Sequence, residues 1–483
     1  MKRVILTALT IAMTLGAVAQ QYSFTFIPKG RTDTVLYIGR YYRDAVTLVD
    51  SARVSGGKYV FKGRRAWERG LYALVAQDGK KVVTDFCIDG SRKFTIRGNE
   101  KLSATSVTVA GCKVNRQMFE YIATENKAKH DVDSLRALKQ DDAVDKIIER
   151  MGAYEATACH PKNPNVFFEL QNACSPADVP EWVEDKNTYY RMHHWDSLFS
   201  VFSEQCSVFS DAASPKTATA QINTKHLTLN TLLHSPQLFS KMNYFFFGML
   251  YYANSDTIIA DIDRLMAKVG DDTALGRYVL DFIEPRYYRS KNIGWDAVWC
   301  HLQENYYQRG RCPWATEGTL YNMRYNYNRI RQSIIGAHGQ ELWMADTNQS
   351  SDPRDWISSH RFPTRYVILW FWDPDCHHCQ EQSEELKKLY DDMVARGEKR
   401  FEVYAVGYES DVKKWKNYVR EHKFNWVNVG GTNVNIDYQE AYNVHGAPTM
   451  IILNERRDII MNKVLHTGNI MSFLDEYEKK VGK

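Results

Sequence analysis

The chain has 483 residues, enough for two to four domains that each bury a proper core, and its 62 Lys+Arg against 58 Asp+Glu leave a formal charge of +4. Without Lys2 and Arg3 the balance falls to +2, which argues against nucleic acid or an anionic membrane as an obligate partner. Aromatic residues make up 13% of the chain, with 29 tyrosines, and are expected to pack a helical middle region rather than to form a ligand platform.

Residues 1–19 read as a secretory signal peptide. Lys2 and Arg3 supply the positive end, Val4 to Val18 the apolar stretch, and Ala17-Val18-Ala19 the small-residue cleavage site, so the mature chain is expected to start at Gln20. No cysteine follows the apolar stretch, which argues against a lipid anchor. No other run approaches the ~18 apolar residues of a membrane span. The expectation is an exported, soluble, periplasmic protein.

Residues 20–111 read as a small all-β domain, a sandwich or barrel. Phe24 and Phe26 alternate with polar residues, and the β-rich runs Val35–Ile38, Val46–Val49, Lys58–Gly63 and Leu71–Val75 are separated by turns at Gly56-Gly57 and Gly70. Residues 112–335 read as helical. Val144, Ile147, Ile148 and Met151 form one stripe. Ser255 is the expected cap of a helix whose apolar face is Ile258, Ile262, Leu265, Met266 and Val269, ending at Gly270. The clusters Tyr244–Phe247 and Trp295–Trp299 are expected in the core, and His193-His194, without an acidic or cysteine partner at ligand spacing, is expected to be structural.

Residues 336–483 carry the chemistry. Glu341–Met344 is a plausible first strand, and the apolar run Tyr366–Trp372 leads directly into Cys376-His377-His378-Cys379. Leu386, Leu389, Tyr390 and Met393 then repeat on one helical face. A Cys-x-x-Cys between a buried strand and a helix is the geometry of thiol–disulfide exchange. Both sulfurs fall in the first helical turn, where unpaired N–H groups and the helix dipole stabilise a thiolate on Cys376. Cys379 can then attack and release a mixed disulfide. Further on come a strand at Phe401–Gly407, a helix at Val412–His422, and Tyr442-Asn443-Val444-His445-Gly446-Ala447-Pro448-Thr449 before the strand Met450–Leu453. A short strand at Ile459–Lys463 and a helix at Ile470–Val481 close the chain.

This order, with Pro448 about 70 residues after the cysteine pair, resembles the thioredoxin fold, and more closely the exported TlpA/ResA branch of thiol–disulfide oxidoreductases. The resemblance implies a cis bond at Pro448, a groove beside it in which Ala447 and Thr449 pair with an extended substrate, and thiols or disulfides of other exported proteins as substrates. It also implies reduction rather than oxidation, with electrons fed by a membrane partner and no cofactor. The chain departs from that pattern at Asp375, where a tryptophan is usual, and at Glu384, where a helix-kinking proline is common. An acid serving the second cysteine is missing, its places being taken by Trp370 and Gln382, so His377, His378 or Glu381 must be considered as proton acceptor. The segment from Asp50-Ser51 to Gly63, with Gly70-Leu71-Tyr72, resembles an uncharacterised β-domain that precedes such modules in exported Bacteroidetes proteins, and the helical insert occupies the same place.

Three readings of His377 and His378 stand: partly charged imidazoles that make the disulfide more oxidising, ligands with the two thiolates for a soft metal such as copper(I), or exposed residues without a role. A mononuclear copper site would need a further ligand such as His445. A partner-binding scaffold with a weakly active thioredoxin module is the alternative to an enzyme. The seven other cysteines are expected to be buried free thiols, with Cys159–Cys174 and Cys300–Cys312 as candidate bridges in an oxidising compartment.

Overall fold

The computed structural model describes residues 21–158, 165–203, 227–271, 273–408, 411–463 and 466–482. The expected signal peptide and two cysteines, Cys159 and Cys206, lie outside the described residues. By its internal contacts the chain divides into two compact units, one ending at Tyr251 and one starting at Tyr252. The helical stretch expected over 112–335 therefore falls on both sides of the division. Among the described residues no helix is long and apolar enough to cross a membrane.

The first unit begins with strands β1 (Gln21–Pro28), β2 (Val35–Tyr42), β3 (Ala45–Ser55), β4 (Lys58–Arg64), β5 (Gly70–Val75), β6 (Val82–Ile88), β7 (Lys93–Gly98) and β8 (Thr108–Ala110). They form one sheet in the order β6-β5-β2-β3-β4-β1-β7-β8, curled into a half-barrel. All neighbours are antiparallel except β1 and β7, which run parallel. Strict alternation along β1 turns Phe24 and Phe26 inward, where Phe24 stacks on Phe94 at 4.5 Å and Phe26 meets the edge of Phe86 at 5.0 Å. Such ring pairs add roughly 0.5–1.5 kcal/mol beyond the area they bury.

Seven α-helices complete this unit among the described residues: α1 (Lys113–Ala137), α2 (Asp141–Ala158), α3 (Val166–Ala173), α4 (Lys186–His193), α5 (Asp196–Ser203), α6 (Leu229–Leu233) and α7 (Pro236–Tyr244), the last running on into a π-helical turn at Phe245–Met249. Strand β5 is buried at all six positions because α3 and α6 pack against it. Edge strand β6 is closed by a side chain instead of a strand. The buried Asn115 of α1 accepts the Cys87 N–H at 2.6 Å and donates to the Cys87 carbonyl at 2.9 Å, satisfying both backbone groups. Arg69 ties the sheet to α3, its guanidinium lying 2.7 Å from Asp89 and 2.6 Å from Glu169.

Of the expected α2 stripe, Val144 and Ile147 are buried while Ile148 is 52% exposed, since α2 pairs chiefly with α1 and needs only a narrow apolar face. His194 is a core aromatic, edge-on to Trp195 at 4.7 Å and stacked on Phe245 at 4.9 Å. Burial, and secondarily the Lys241 ammonium, push its pKa down to about 3, so it stays neutral. His193 instead pairs with Asp196 on the surface at 2.6 Å.

The second unit opens with α8 (Ser255–Val269), α9 (Ala274–Tyr288), α10 (Trp295–Leu302) and α11 (Glu317–Ile330). The cap of α8 is Asn254 rather than the expected Ser255. The Asn254 side chain accepts from Thr257 N–H, and Ser255 is already helical. The five expected apolar residues are all buried, and Gly270 ends the helix at φ 75°. Trp295 and Trp299 lie in the core, as do Phe245 and Phe246 of the first unit, whereas Tyr244 is 54% exposed. The candidate bridge between Cys300 and Cys312 is not formed: both are buried free thiols. Burial pushes both thiols up, that of Cys312 to about 12. The other candidate bridge includes Cys159 and lies outside the described residues; Cys174 is a free thiol.

The second sheet comprises β9 (Trp343–Asp346), β10 (Ile357–Ser358), β11 (Tyr366–Trp372), β12 (Phe401–Gly407), β13 (Val427–Val434), β14 (Thr449–Leu453) and β15 (Ile459–Met461), in the order β10-β9-β13-β12-β11-β14-β15. Strands β11, β12 and β13 are parallel, and β14 runs antiparallel to β11. Helices α12 (His377–Ala395), α13 (Val412–Glu421), α14 (Tyr438–Tyr442) and α15 (Ile470–Val481) complete it. Both faces are covered, so β11 and β12 bury every residue. Tyr366, Ile368, Trp370 and Trp372 pack with Leu386 and Tyr390 of α12. Val367, Leu369 and Phe371 pack on the opposite face with Tyr442 and Val444.

Strand β13, which carries Gly430-Gly431, has no counterpart among the sequence-based expectations. An indole packs against Gly430 and, more closely, against Gly407 of β12. A Cβ on Gly407 would stand 3.0 Å from the ring of Trp415, and one on Gly430 would stand 3.4 Å from it. Trp415 itself is 1% exposed.

Candidate functional site

The site begins where β11 ends. The carbonyl of Trp372 accepts the Tyr408 N–H at 2.8 Å, holding the strand end to the segment after β12. The chain then turns through Asp373-Pro374-Asp375. The Asp375 N–H donates to Asp373 Oδ1 at 2.9 Å, and the Cys376 N–H donates to the Asp373 carbonyl at 3.1 Å. Two side chains pin the turn from outside: Gln380 of α12 donates to the Pro374 carbonyl at 2.7 Å, and Lys414 of α13 lies 2.9 Å from Asp375 Oδ2.

Cys376 is the N-cap of α12, and its Sγ accepts the Cys379 N–H at 3.4 Å. The 19-residue helix has no acidic residue in its first turn, and its positive end faces the Cys376 sulfur. The same thiol lies 3.9 Å from the Ala447 carbonyl. The second cysteine lives in a different environment. Cys379 is 0% exposed, within a cluster that includes Trp370, Trp372 and Leu386. Burial first, and then its contact with Cys376, push its thiol up to about 12. One sulfur of the pair is thus reachable at a helix N-terminus, and the other is a protonated thiol one turn inside.

The loop expected beside this pair is there. The Ala447–Pro448 bond is cis, Ala447 and Cys376 both pack against the cluster that holds Cys379, and Thr449 stands opposite Phe371 of β11 with its hydroxyl on the Gly446 carbonyl at 2.7 Å. His377 and His378, 77% and 80% exposed, both reach Glu381, at 3.2 and 3.5 Å. His445 pairs with Asn443 at 2.8 Å, and burial lowers its pKa. Among the described residues, no group of three or more His, Cys, Asp or Glu side chains is placed to hold a metal ion.

The two positions that would carry an acid are filled by structural hydrogen bonds. Trp370 Nε1 donates to the buried Ser383 hydroxyl at 2.9 Å, and the Gln382 carbonyl accepts the Thr467 N–H at 3.1 Å. Asp373, Gln380 and Lys414 are site residues that the sequence reading missed. The signal available for them was the Asp-Pro-Asp turn directly before the first cysteine, which stood out only as a departure at Asp375.

Residues 364–459 match a family model described as thioredoxin-like. No curated protein matches the chain. Among solved structures, a domain of a possible thiol-disulfide isomerase from Cytophaga hutchinsonii is similar at 27% identity, covering 31% of this chain and 96% of that one, with a TM-score of 0.27. A thioredoxin-like protein from Bacteroides caccae is similar at 14% identity, covering 62% and 98%, with a TM-score of 0.45. The thioredoxin domain of a thiol-disulfide oxidoreductase from Bacteroides vulgatus is similar at 21% identity, covering 30% and 96%, with a TM-score of 0.25. The match over residues 364–459, the three parallel strands with β14 antiparallel beside them, and a cysteine pair opening the helix after β11 make the C-terminal part of this chain a thioredoxin-like domain.

Proposed function

We propose that the chain is an exported, TlpA-like thiol–disulfide oxidoreductase acting on thiols or disulfides of other exported proteins, in the reducing direction. The observation that carries this reading is the asymmetry of the pair: a half-buried Cys376 capping a helix, and a fully buried Cys379 whose N–H points at the first sulfur from 3.4 Å. The Cys376 thiolate attacks one sulfur of a substrate disulfide, forming a mixed disulfide and releasing the other sulfur as a thiolate. Cys379, deprotonated, then attacks the Cys376 sulfur, closing the Cys376–Cys379 disulfide and releasing the second substrate thiol. Two electrons pass from the dithiol to the substrate, and an external dithiol, such as that of a membrane partner, restores the reduced pair.

Ala447 and Thr449, flanking Pro448, offer backbone groups at the end of β14 that an extended substrate segment can pair with, in the manner of strand addition. His377 and His378, tied to Glu381 on the exposed side of the helix, tune the pair only through their charge. Substitution of the resolving cysteine tests the reading. Cys379→Ser is expected to accumulate mixed disulfides with exported proteins that dithiothreitol releases, while Cys376→Ser accumulates none. Absence of any trapped species from Cys379→Ser would favour the scaffold reading instead.

A further inference from the structure

The attacking sulfur sits on a stretch of chain that is not yet helix. Cys376 is extended, with φ −95° and ψ 113°, and Asp373-Pro374-Asp375 before it form a turn. Two of the turn's bonds are internal to it: the Asp375 N–H on Asp373 Oδ1 at 2.9 Å and the Cys376 N–H on the Asp373 carbonyl at 3.1 Å. They shape the turn but do not tie it to α12. Lys414 reaches Asp375 from α13, yet that pair is 62% and 65% exposed, and ion pairs so open to water hold little.

Gln380 is placed differently. Its side chain donates to the Pro374 carbonyl at 2.7 Å, and its backbone N–H donates to the Cys376 carbonyl at 3.0 Å. Pro374 is buried and has no N–H, so its carbonyl is the one backbone group by which the turn can be held there. Gln380 also follows Cys379 directly in the chain, so the residue that grips the stretch carrying the first cysteine is bonded to the second. We propose that Gln380 is a positioning residue for ring closure, a role that rests on the redox reading above. Through the Pro374 carbonyl it keeps Cys376 against the start of α12, where its sulfur stands 3.4 Å from the Cys379 N–H, while Cys376 carries the substrate as a mixed disulfide. In the step it serves, the Cys379 thiolate attacks Cys376 Sγ. The Cys376–Cys379 bond forms as the Cys376–substrate bond breaks, and the electron pair of the broken bond leaves with the substrate sulfur. The proton Cys379 gives to water is balanced by the one the departing thiolate takes from it. Ring closure of this kind depends steeply on how well the two reacting groups are held together.

The test mixes the reduced mature chain with an excess of the aromatic disulfide of 5-thio-2-nitrobenzoate and follows release of the coloured thiol, with the Cys376→Ser chain subtracted for the remaining cysteines. A first phase proportional to reagent reports attack by Cys376, and a second phase independent of reagent reports ring closure by Cys379. Gln380→Met keeps the length of the side chain and removes its donor. It is expected to slow the second phase about tenfold, the weight of one hydrogen bond, and to leave the first within about twofold. Gln380→Lys, which puts a donor back, should recover most of the loss. A second phase at the native rate in Gln380→Met would overturn the assignment. So would an equal slowing of both phases, which marks a general effect on Cys376 rather than its placement against Cys379. A native chain that shows the first phase and no second would overturn the redox reading itself, and this assignment with it.

Discussion

Iodoacetamide at pH 7.5 is expected to label Cys376 at least about a hundredfold faster than Cys379 in the reduced native chain. Only thiolates alkylate at a useful rate, and a thiol pushed up to about 12 leaves a thiolate fraction of roughly 3 × 10⁻⁵ at this pH. Cys379 is in addition 0% exposed, packed among Trp370, Trp372 and Leu386, so the reagent must wait for the helix start to open. Cys376 lacks that burial. It is partly exposed, receives the Cys379 N–H at 3.4 Å, and stands at the positive end of a 19-residue helix with no acidic residue in its first turn. The sign follows from the direction of the shift: labelling of Cys379 rises with pH and approaches that of an ordinary thiol only near pH 12. Mass spectrometry of tryptic peptides reads both sites in one experiment. Equal labelling at pH 7.5 would remove the asymmetry on which the division of labour between the two cysteines depends.

Asn115→Ala is expected to cost at least about 2 kcal/mol locally, because it leaves a buried N–H and a buried carbonyl of Cys87 without partners. The effect belongs to the edge of the half-barrel, where β6 has β5 on one side and the α1 side chain on the other. Hydrogen exchange over Val82–Ile88 in the intact chain is the direct readout, and a loss of protection of roughly 30-fold or more corresponds to that energy. Unchanged protection would mean that the bracket does not hold this edge. The same substitution is expected to leave exchange in β11 and β12, which belong to the other compact unit, unaffected.

Much of this architecture could be read before any coordinates because the residues that carry it act locally. Strands β11 and β12 are continuous apolar runs, as strands covered on both faces must be, and their observed bounds coincide with the runs Tyr366–Trp372 and Phe401–Gly407. Helix α12 announced itself by Leu386, Tyr390 and Met393 on one face, all of them buried. The Cys-x-x-Cys spacing placed both sulfurs at the helix start. What escaped the sequence depends on partners far along the chain. Strand β13 carries Gly430 and Gly431, whose neighbours, Trp415 and Gln349, lie far along the chain and come into view only once the elements are stacked. Asn115 looked like an ordinary polar position on a helix, since nothing near it in sequence shows that it faces the open backbone of Cys87. The turn at Asp373 was passed over because the side chains that complete it, Gln380 and Lys414, come from further along the chain.

The claim that everything else depends on is that Cys376 and Cys379 form one reversible redox pair. Equilibrating the mature chain with glutathione buffers of graded potential, quenching by alkylation and counting modified thiols by mass measures this directly. The account predicts a single two-electron transition involving these two cysteines, lying toward the reducing end of the range of about −270 to −120 mV for thioredoxin-fold proteins and absent from Cys376→Ala. Two thiols that stay fully alkylatable across the whole series, or a transition that survives Cys376→Ala, would contradict it.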